Sequence, residues 1–384
     1  MKAFLNMNVF SFVQKITYRI NRYVKQVIII IEQLPKRLLA KFVVNIIGSY
    51  MIKLCEKKTH GPEVKPHILI LRNKFYSKGS EQLSTEVMHL DNTLKTSGLA
   101  TFEVLTYDDD LHISPLCDLQ LIAKCRDVRP DAIVLSSWSS ASRHPSIHSL
   151  NFIRDRLDIP VAAIWWDTCS KHFWEGVKVY IECFDVHVIV DNPTLQYIDK
   201  ENPFYNRVLS LWPPQDGDLF KPGSKRDIPV SFLGQTSAYR SYRTEVIDYL
   251  KKKNIRGCFS TSDRGEQVTH STYADLMGRS KISLNFSYSV DCHQLKSRVM
   301  EVMLSGALLL ESSNKQINSL FEPMRDYVPF NSKEDLVEKI CYYLEHEEEM
   351  SIIAAQGRAA VLKHYSSTRF WQLILNKLQL IKLE

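Results

Sequence analysis

Lys296, Arg298 and Glu301 stand together in "QLKSRVMEVMLSGALLLES" (294–312), where two cations precede an apolar helical run and a carboxylate follows one turn later. The run stops at Gly306, and a strand-like "ALLLES" begins. Long cationic side chains suit the C-terminal end of a helix better than its start, because of the macrodipole. Two of them at the start point to a bound anion, although a solvated helix end with surface ion pairs through Glu301 has the same pattern. Further upstream, "VSFLGQTSAYRSYR" puts Gly234 at a strand end, with Arg240 and Arg243 at the start of the next helix. Backbone N–H groups can approach a phosphate at such a turn, and any tight turn would also use the glycine. In "YADLMGRSKISLNFSYS", Asn285 and Tyr288 come just past a strand end, placed to hydrogen-bond a base or ribose, or to close a turn.

The first half of the chain offers "IPVAAIWWDTCSKHFWEG", in which Asp167 follows a strand directly, with Trp165 and Trp166 before it and His172 beyond. A carboxylate there would deprotonate or position an acceptor hydroxyl, and indoles are sugar-stacking surfaces; equally, Asp167 would cap the next helix. The loop "RNKFYSKGSEQ" brings Lys78 and Gly79 to the same strand-end surface. The eight cysteines are scattered, with no C-x-x-C pair and no zinc-finger spacing, and are predicted to be reduced and packed.

These residues need elements to hold them. At 384 residues, 45% hydrophobic and 24% charged, the chain is globular and long enough for two domains. "HILILR", "FEVLTY", "DAIVLSS", "PVAAIWW" and "VHVIV" are continuous apolar strands separated by helical or turn-rich sequence, the pattern of a parallel sheet covered on both faces. After "WPPQDGDLFKPGSKRDIP" a second series begins with "VSFLG". The expected fold is α/β: two Rossmann-like, doubly wound domains facing a central cleft, where the strands' carboxyl ends bind ligands. The expected boundaries are a basic helical segment over 1–62, a first domain over 63–215, a linker over 216–229 and a second domain over 230–366. A last helix over 367–384 has no strand after it and is expected to pack back across the junction.

The net charge of +6 belongs to one segment. Residues 1–60 hold eleven Lys or Arg against Glu32 and Glu56, a net of +9; the remainder, with 38 basic and 41 acidic side chains, is net −3. The body therefore has no electrostatic reason to bind nucleic acid. Phe12, Ile16, Ile20, Tyr23, Val27, Ile31 and Leu34 form one helical stripe, and Leu38, Phe42, Ile46, Tyr50 and Leu54 a second after Pro35. No uncharged apolar run is long enough to span a bilayer. Basic amphipathic helices fit an interfacial anchor on an anionic membrane through residues 12–54, or a surface packed on the body or a partner.

Taken in order, "VSFLG", "Y-x-x-L-M-x-x-S-K-I-S-L-N", "K-S-R-x-M-E-x-x-x-S-G-A-L-L-L", "LFEPMRDYVPF" and a closing "G-x-x-x-V-x-x-x-Y" resemble the C-terminal domain of the group 1 glycosyltransferases, in the spore-maturation-protein-like branch of the two-domain GT-B fold. The resemblance runs from about Val230 to Arg369 and implies a nucleotide-sugar donor held in the second domain. It implies that Glu301 takes the ribose hydroxyls, that Gly306 lets the helix turn into the next strand, and that Lys296 and Arg298 neutralise the diphosphate without a metal or other cofactor. Gly234, Arg240, Asn285 and Tyr288 complete the expected donor site; Lys78, Gly79, Trp166 and His172 the acceptor site; Asp167, Arg298 and Glu301 the catalytic set. Many relatives carry a glutamate eight residues before Glu301, where this chain has His293. "YDDDLH" (107–112) is like the metal motif of the other main glycosyltransferase fold, but it lies far from the donor signature and reads as a solvated loop. The expected activity is transfer of a sugar to a glycan or lipid-linked acceptor hydroxyl by a cytoplasmic protein, peripheral on the inner face of the cell membrane. A nucleotide-sugar epimerase or phosphorylase, or a non-catalytic membrane-docked scaffold, would share the same pattern.

Overall fold

The computed structural model describes residues 44–45, 65–75, 83–106, 115–137, 145–234, 236, 241–261, 268–287 and 292–383. Nearly all of the basic N-terminal segment, the Lys78–Gly79 loop, the "YDDDLH" segment, Arg240 and Tyr288 lie outside these residues.

The apolar runs form two all-parallel sheets. The first holds β1 (His67–Arg72), β2 (Thr101–Thr106), β3 (Ala132–Ser137), β4 (Val161–Trp165), β5 (Val186–Ile189) and β6 (Val208–Ser210), in the order β2-β1-β3-β4-β5-β6. The second holds β7 (Ile228–Gly234), β8 (Cys258–Thr261), β9 (Ser280–Asn285), β10 (Leu308–Ser312) and β11 (Val328–Phe330), in the order β11-β10-β9-β7-β8. Counted from its own first strand, each sheet follows the doubly wound order 2-1-3-4-5, and the first adds a sixth strand at its edge. The order reverses between β1 and β3 in one sheet and between β7 and β9 in the other. Those reversals open a crevice at the strands' carboxyl ends.

Every residue of β4 and of β10 is buried, as sheets covered on both faces require. The covering helices of the first domain are α1 (Thr93–Ser97), α2 (Pro115–Val128), α3 (Ile147–Leu157) and α4 (Lys171–Val177). Those of the second are α5 (Ser241–Lys252), α6 (His270–Gly278), α7 (Ser297–Leu304), α8 (Lys315–Asn318), α9 (Lys333–Glu345) and α10 (Glu347–His364). Ser146, Ser170, Thr269 and Ser332 cap α3, α4, α6 and α9, each accepting a backbone N–H of the first turn.

The chain closes with α11 (Ser367–Lys377), which buries Phe370, Trp371, Ile374 and Leu375. These side chains belong to one hydrophobic cluster with Ile68, Val134 and Ile164 of the first sheet and Val299, Met300 and Leu309 of the second domain. The Trp371 indole N–H donates to Thr93 Oγ1 at 2.9 Å, fixing α11 against α1. Val44, from the second predicted N-terminal helix, is buried in the other cluster of the first domain, with Leu121, Ile122 and Trp165.

That cluster also encloses a polar pair. Trp165 Nε1 donates to His187 Nδ1 at 3.0 Å, so Nδ1 must be unprotonated and Nε2 carries the hydrogen toward the Ile181 carbonyl, 3.1 Å away. Burial pushes the His187 pKa down to about 4. A base whose folded pKa is depressed contributes stability above its unfolded value of 6.5 and loses it as pH falls toward 4. The stability margin of the native chain over a His187→Gln variant should therefore shrink by about 3 kcal/mol between pH 7 and pH 4. Urea unfolding of both proteins across that range measures it, and a margin independent of pH would contradict the assignment.

Candidate active site

The cationic segment lands at the crevice. Lys296 is the extended N-cap of α7, and Arg298 lies in the first turn of that helix. Its guanidinium passes over the Phe232 ring, 5.1 Å from the centroid, and Nη1 donates to Asn285 Oδ1 at 2.9 Å. Phe232 and Gly234 are on β7 and Asn285 ends β9, so Arg298 occupies the reversal point of the second sheet. A Cβ on Gly234 would overlap the Arg298 guanidinium and push it from this position.

Glu301, one turn along α7, is buried and accepts the Tyr273 hydroxyl of α6 at 2.6 Å. Burial raises its pKa, while the Tyr273 hydrogen bond and the Arg298 charge favour the carboxylate. It is thus no surface ion pair. Gly306 falls elsewhere. It sits past the C-terminal end of α7 at φ +69°, beside Arg226 and Pro222, and lets the chain reverse into β10. That is the turn expected of it, made at the end of α7 remote from Arg298 rather than among the donor-site side chains.

In the first domain Asp167 follows β4 at φ +56°, a left-handed conformation that costs a non-glycine residue about 1–2 kcal/mol. Ser170, not Asp167, caps α4. Asp167 Oδ1 instead faces the second domain, accepting Gln294 Nε2 at 2.9 Å and lying 3.7 Å from Lys296 Nζ. Gln294 Nε2 also donates to Asp191 Oδ2 at 3.1 Å, and the Leu295 N–H donates to the Asp191 carbonyl at 2.8 Å. Thr168 supplies its N–H and hydroxyl to the Asp191 carboxyl at 2.7 and 2.6 Å. Burial lifts the Asp191 pKa to about 6. Gln316 adds a second polar bridge, donating to Asn192 at 2.9 Å and accepting from the Thr194 N–H at 3.1 Å.

The expected acceptor residues fare differently. Trp166 is buried, its ring beside His89 and its N–H given to Ser136 Oγ at 2.9 Å, so it is a packed wall rather than an open stacking surface. The His172 side chain is 86% exposed on α4, 3.6 Å from Glu175. It does not join the group around Asp167. A cavity of about 390 Å³ lies at the carboxyl ends of β10 and β11, lined by Tyr242, His293, Ser312, Ser313, Phe330 and Asn331.

Residue pattern left several groups at the crevice unmarked: Gln294, Asp191, Tyr273, and Glu311, which is buried near the end of β10 beside Asn285. A signal existed for two of them. Asp191 and Glu311 are acidic residues at or just past the carboxyl ends of apolar strands, the same position that singled out Asp167. The cysteine expectation is also corrected. Cys169 and Cys292, 123 residues apart, form a disulfide that joins the two domains beside Asp167. Proximity that arises only when two domains meet has no sequence spacing. Cross-linking so long a loop stabilises a fold by about 2–4 kcal/mol. Cys292→Ser is expected to lower the free energy of urea unfolding by that amount, and the denatured, unreduced chain should titrate two fewer thiols than the reduced one. Equal thiol counts would show the pair unbonded.

Residues 220–376 match the model of a family described as glycosyl transferase-like. A search of curated proteins gives no match. Among solved structures, Anabaena HepE in complex with UDP-glucose is similar with a TM-score of 0.57 at 12% identity, over 82% of this chain and 100% of that one. Sucrose-phosphate synthase from Thermosynechococcus elongatus is similar at 0.55 and 11%, over 81% and 99%. An alpha-glucosyltransferase in complex with UDP and a 13-mer DNA containing an HMU base is similar at 0.55 and 11%, over 82% and 100%. At such identities the likeness is one of fold, the two-domain GT-B arrangement. With a glycosyl transferase-like second domain set in that fold, the chain is an enzyme of the glycosyltransferase class.

Proposed function

We propose that this enzyme transfers a sugar from a nucleoside-diphosphate-sugar to a hydroxyl group of a glycan or lipid-linked acceptor, without a divalent metal. The observation that carries this reading is the placement of Arg298 at the reversal point of the second sheet, between Gly234 and Asn285, with Lys296 at the start of the same helix. The bond between the anomeric carbon and the β-phosphate oxygen breaks, and its electron pair stays on the phosphate. Two cations and the N–H groups of the first turn of α7 are suited to hold the charge that develops there. Lys296 is paired with Asp167 across the crevice. The diphosphate takes over as its counter-ion, which releases Asp167 to accept or orient the proton of the incoming hydroxyl. Glu301 serves the ribose hydroxyls. The cavity bounded by Tyr242, His293 and Phe330 offers the aromatic, hydroxyl and amide groups that hold a sugar.

The ordered motifs of the second domain support the spore-maturation-protein-like branch. The uridine nucleotides bound by HepE and the alpha-glucosyltransferase make UDP the first nucleotide to test. The basic amphipathic segment over 12–54 supports a peripheral site on an anionic membrane surface, where a lipid-linked acceptor would share it; the inner face of the cell membrane fits that charge, although a Cys169–Cys292 bond is unusual on a reducing side. Among the described residues, no helix is long and apolar enough to cross a membrane.

A nucleotide that binds the folded state raises its stability by mass action. One of UDP, GDP, CMP and ADP is expected to raise the melting temperature; Arg298→Ala should abolish both that shift and turnover, and turnover should survive EDTA. No shift with any of the four, or native rates for Arg298→Ala, would remove the diphosphate role. Loss of turnover in EDTA with recovery on adding Mn²⁺ would show that a metal is needed. The N-terminal segment should carry the chain to the top of a gradient with phosphatidylserine vesicles at low salt and release it at high salt; no flotation at low salt would end the membrane reading.

A further inference from the structure

Glu311 is a carboxylate buried without exposure near the end of β10, beside the equally buried Asn285 of β9. Its register explains what it does there. Glu311 pairs with Asn285 across the β9–β10 ladder, and the Asn285 side-chain amide nitrogen donates to Glu311 Oε2. Glu311 Oε1 accepts the Ser287 N–H at 3.1 Å and the Ser312 hydroxyl at 3.0 Å. Burial raises the Glu311 pKa, and those donors counter it.

An ionised carboxylate only accepts hydrogen bonds, whereas an amide has one accepting and one donating end. The nitrogen of Asn285 must therefore face Glu311, and its oxygen must face Arg298, whose Nη1 lies 2.9 Å away. We infer that Glu311 is a positioning residue for the transfer reaction: by fixing which way the Asn285 amide points, it holds the Arg298 guanidinium over Gly234 at the mouth of the crevice. The inference rests on the role proposed above for Arg298. It adds a polarity to the site, running from a buried anion through a fixed amide to the cation that meets the diphosphate.

Glu311→Gln keeps the shape and reverses that polarity. The oxygen of the substituted side chain must still accept the Ser287 N–H, so its amide nitrogen meets the Asn285 nitrogen, and the Asn285 amide has to turn its own N–H groups toward Arg298. The affinity of whichever of UDP, GDP, CMP and ADP binds the native chain should fall about tenfold or more in Glu311→Gln, measured by titration calorimetry on the full-length protein. The double variant Asn285→Asp/Glu311→Gln should recover to within about threefold, because a carboxylate at position 285 accepts both from the amide at position 311 and from Arg298. Native affinity in Glu311→Gln overturns the inference. So does a loss that Asn285→Asp fails to rescue, since a purely structural carboxylate would show no such dependence on donor and acceptor. If Glu311→Gln does not fold, Asn285→Ala leaves Glu311 with its Ser287 and Ser312 donors but breaks the relay; native affinity in that variant overturns the inference as well. Native affinity in Arg298→Ala would instead strike at the proposed function, leaving the two failures distinguishable.

Discussion

A strand buried on both faces can present polar chemistry only beyond its ends, and parallel strands put all their carboxyl ends on one side. Both sheets obey this constraint, with the same winding order, so the residues that follow their strands converge on one crevice. Asp167 follows β4, Asp191 follows β5 by two residues, Gly234 and Asn285 end β7 and β9, and Glu311 sits near the last rung of the β10 ladder. Chemistry assembled in this way needs no long loop of its own. The sheets act as jigs, and the site is what projects from their edges.

Within the crevice the two cations are held differently. Arg298 is confined by the Phe232 ring below, the missing side chain of Gly234 beside it, and the Asn285 oxygen in front. Lys296 lies 3.7 Å from the carboxylate of a half-exposed Asp167. Such a pair is worth little in water, so an incoming diphosphate would displace it at low cost. On the function proposed above, the asymmetry suits a site preorganised for charge whose second cation has an internal counter-ion before the donor arrives.

Much of the scaffold was legible from residue pattern because burial on two faces leaves a plain mark. "HILILR", "PVAAIWW" and "ALLLES" are uninterrupted apolar runs, and each became a buried parallel strand. Residues after strands were legible for the same reason, which is how Asp167, Gly234 and Asn285 came into view. What pattern does not carry is which partner a side chain finds. Trp166 has the composition of a sugar platform, but its N–H bonds Ser136 and its ring is walled in by His89. Glu301 had a surface ion pair as its alternative reading until Tyr273, 28 residues away, proved to bond it in the interior. Glu311 went unmarked, because what singles it out is a register partner 26 residues earlier. Gly306 was placed with the donor by its motif, yet a helix of eight residues separates it from the crevice.

Among the described residues the two domains meet along a polar seam, where Gln294, Leu295 and Gln316 of the second bond Asp167, Asp191, Asn192 and Thr194 of the first, and at the junction where α11 docks on α1. Set in that seam is one tie of another kind, the covalent Cys169–Cys292 bond. Hydrogen bonds can part and re-form as lobes breathe, whereas a disulfide keeps its two Cα atoms, 6.1 Å apart, almost where they are. Any gaping of the lobes to admit a bulky acceptor would therefore have its least travel beside Asp167 and its greatest far from the sulfur tether.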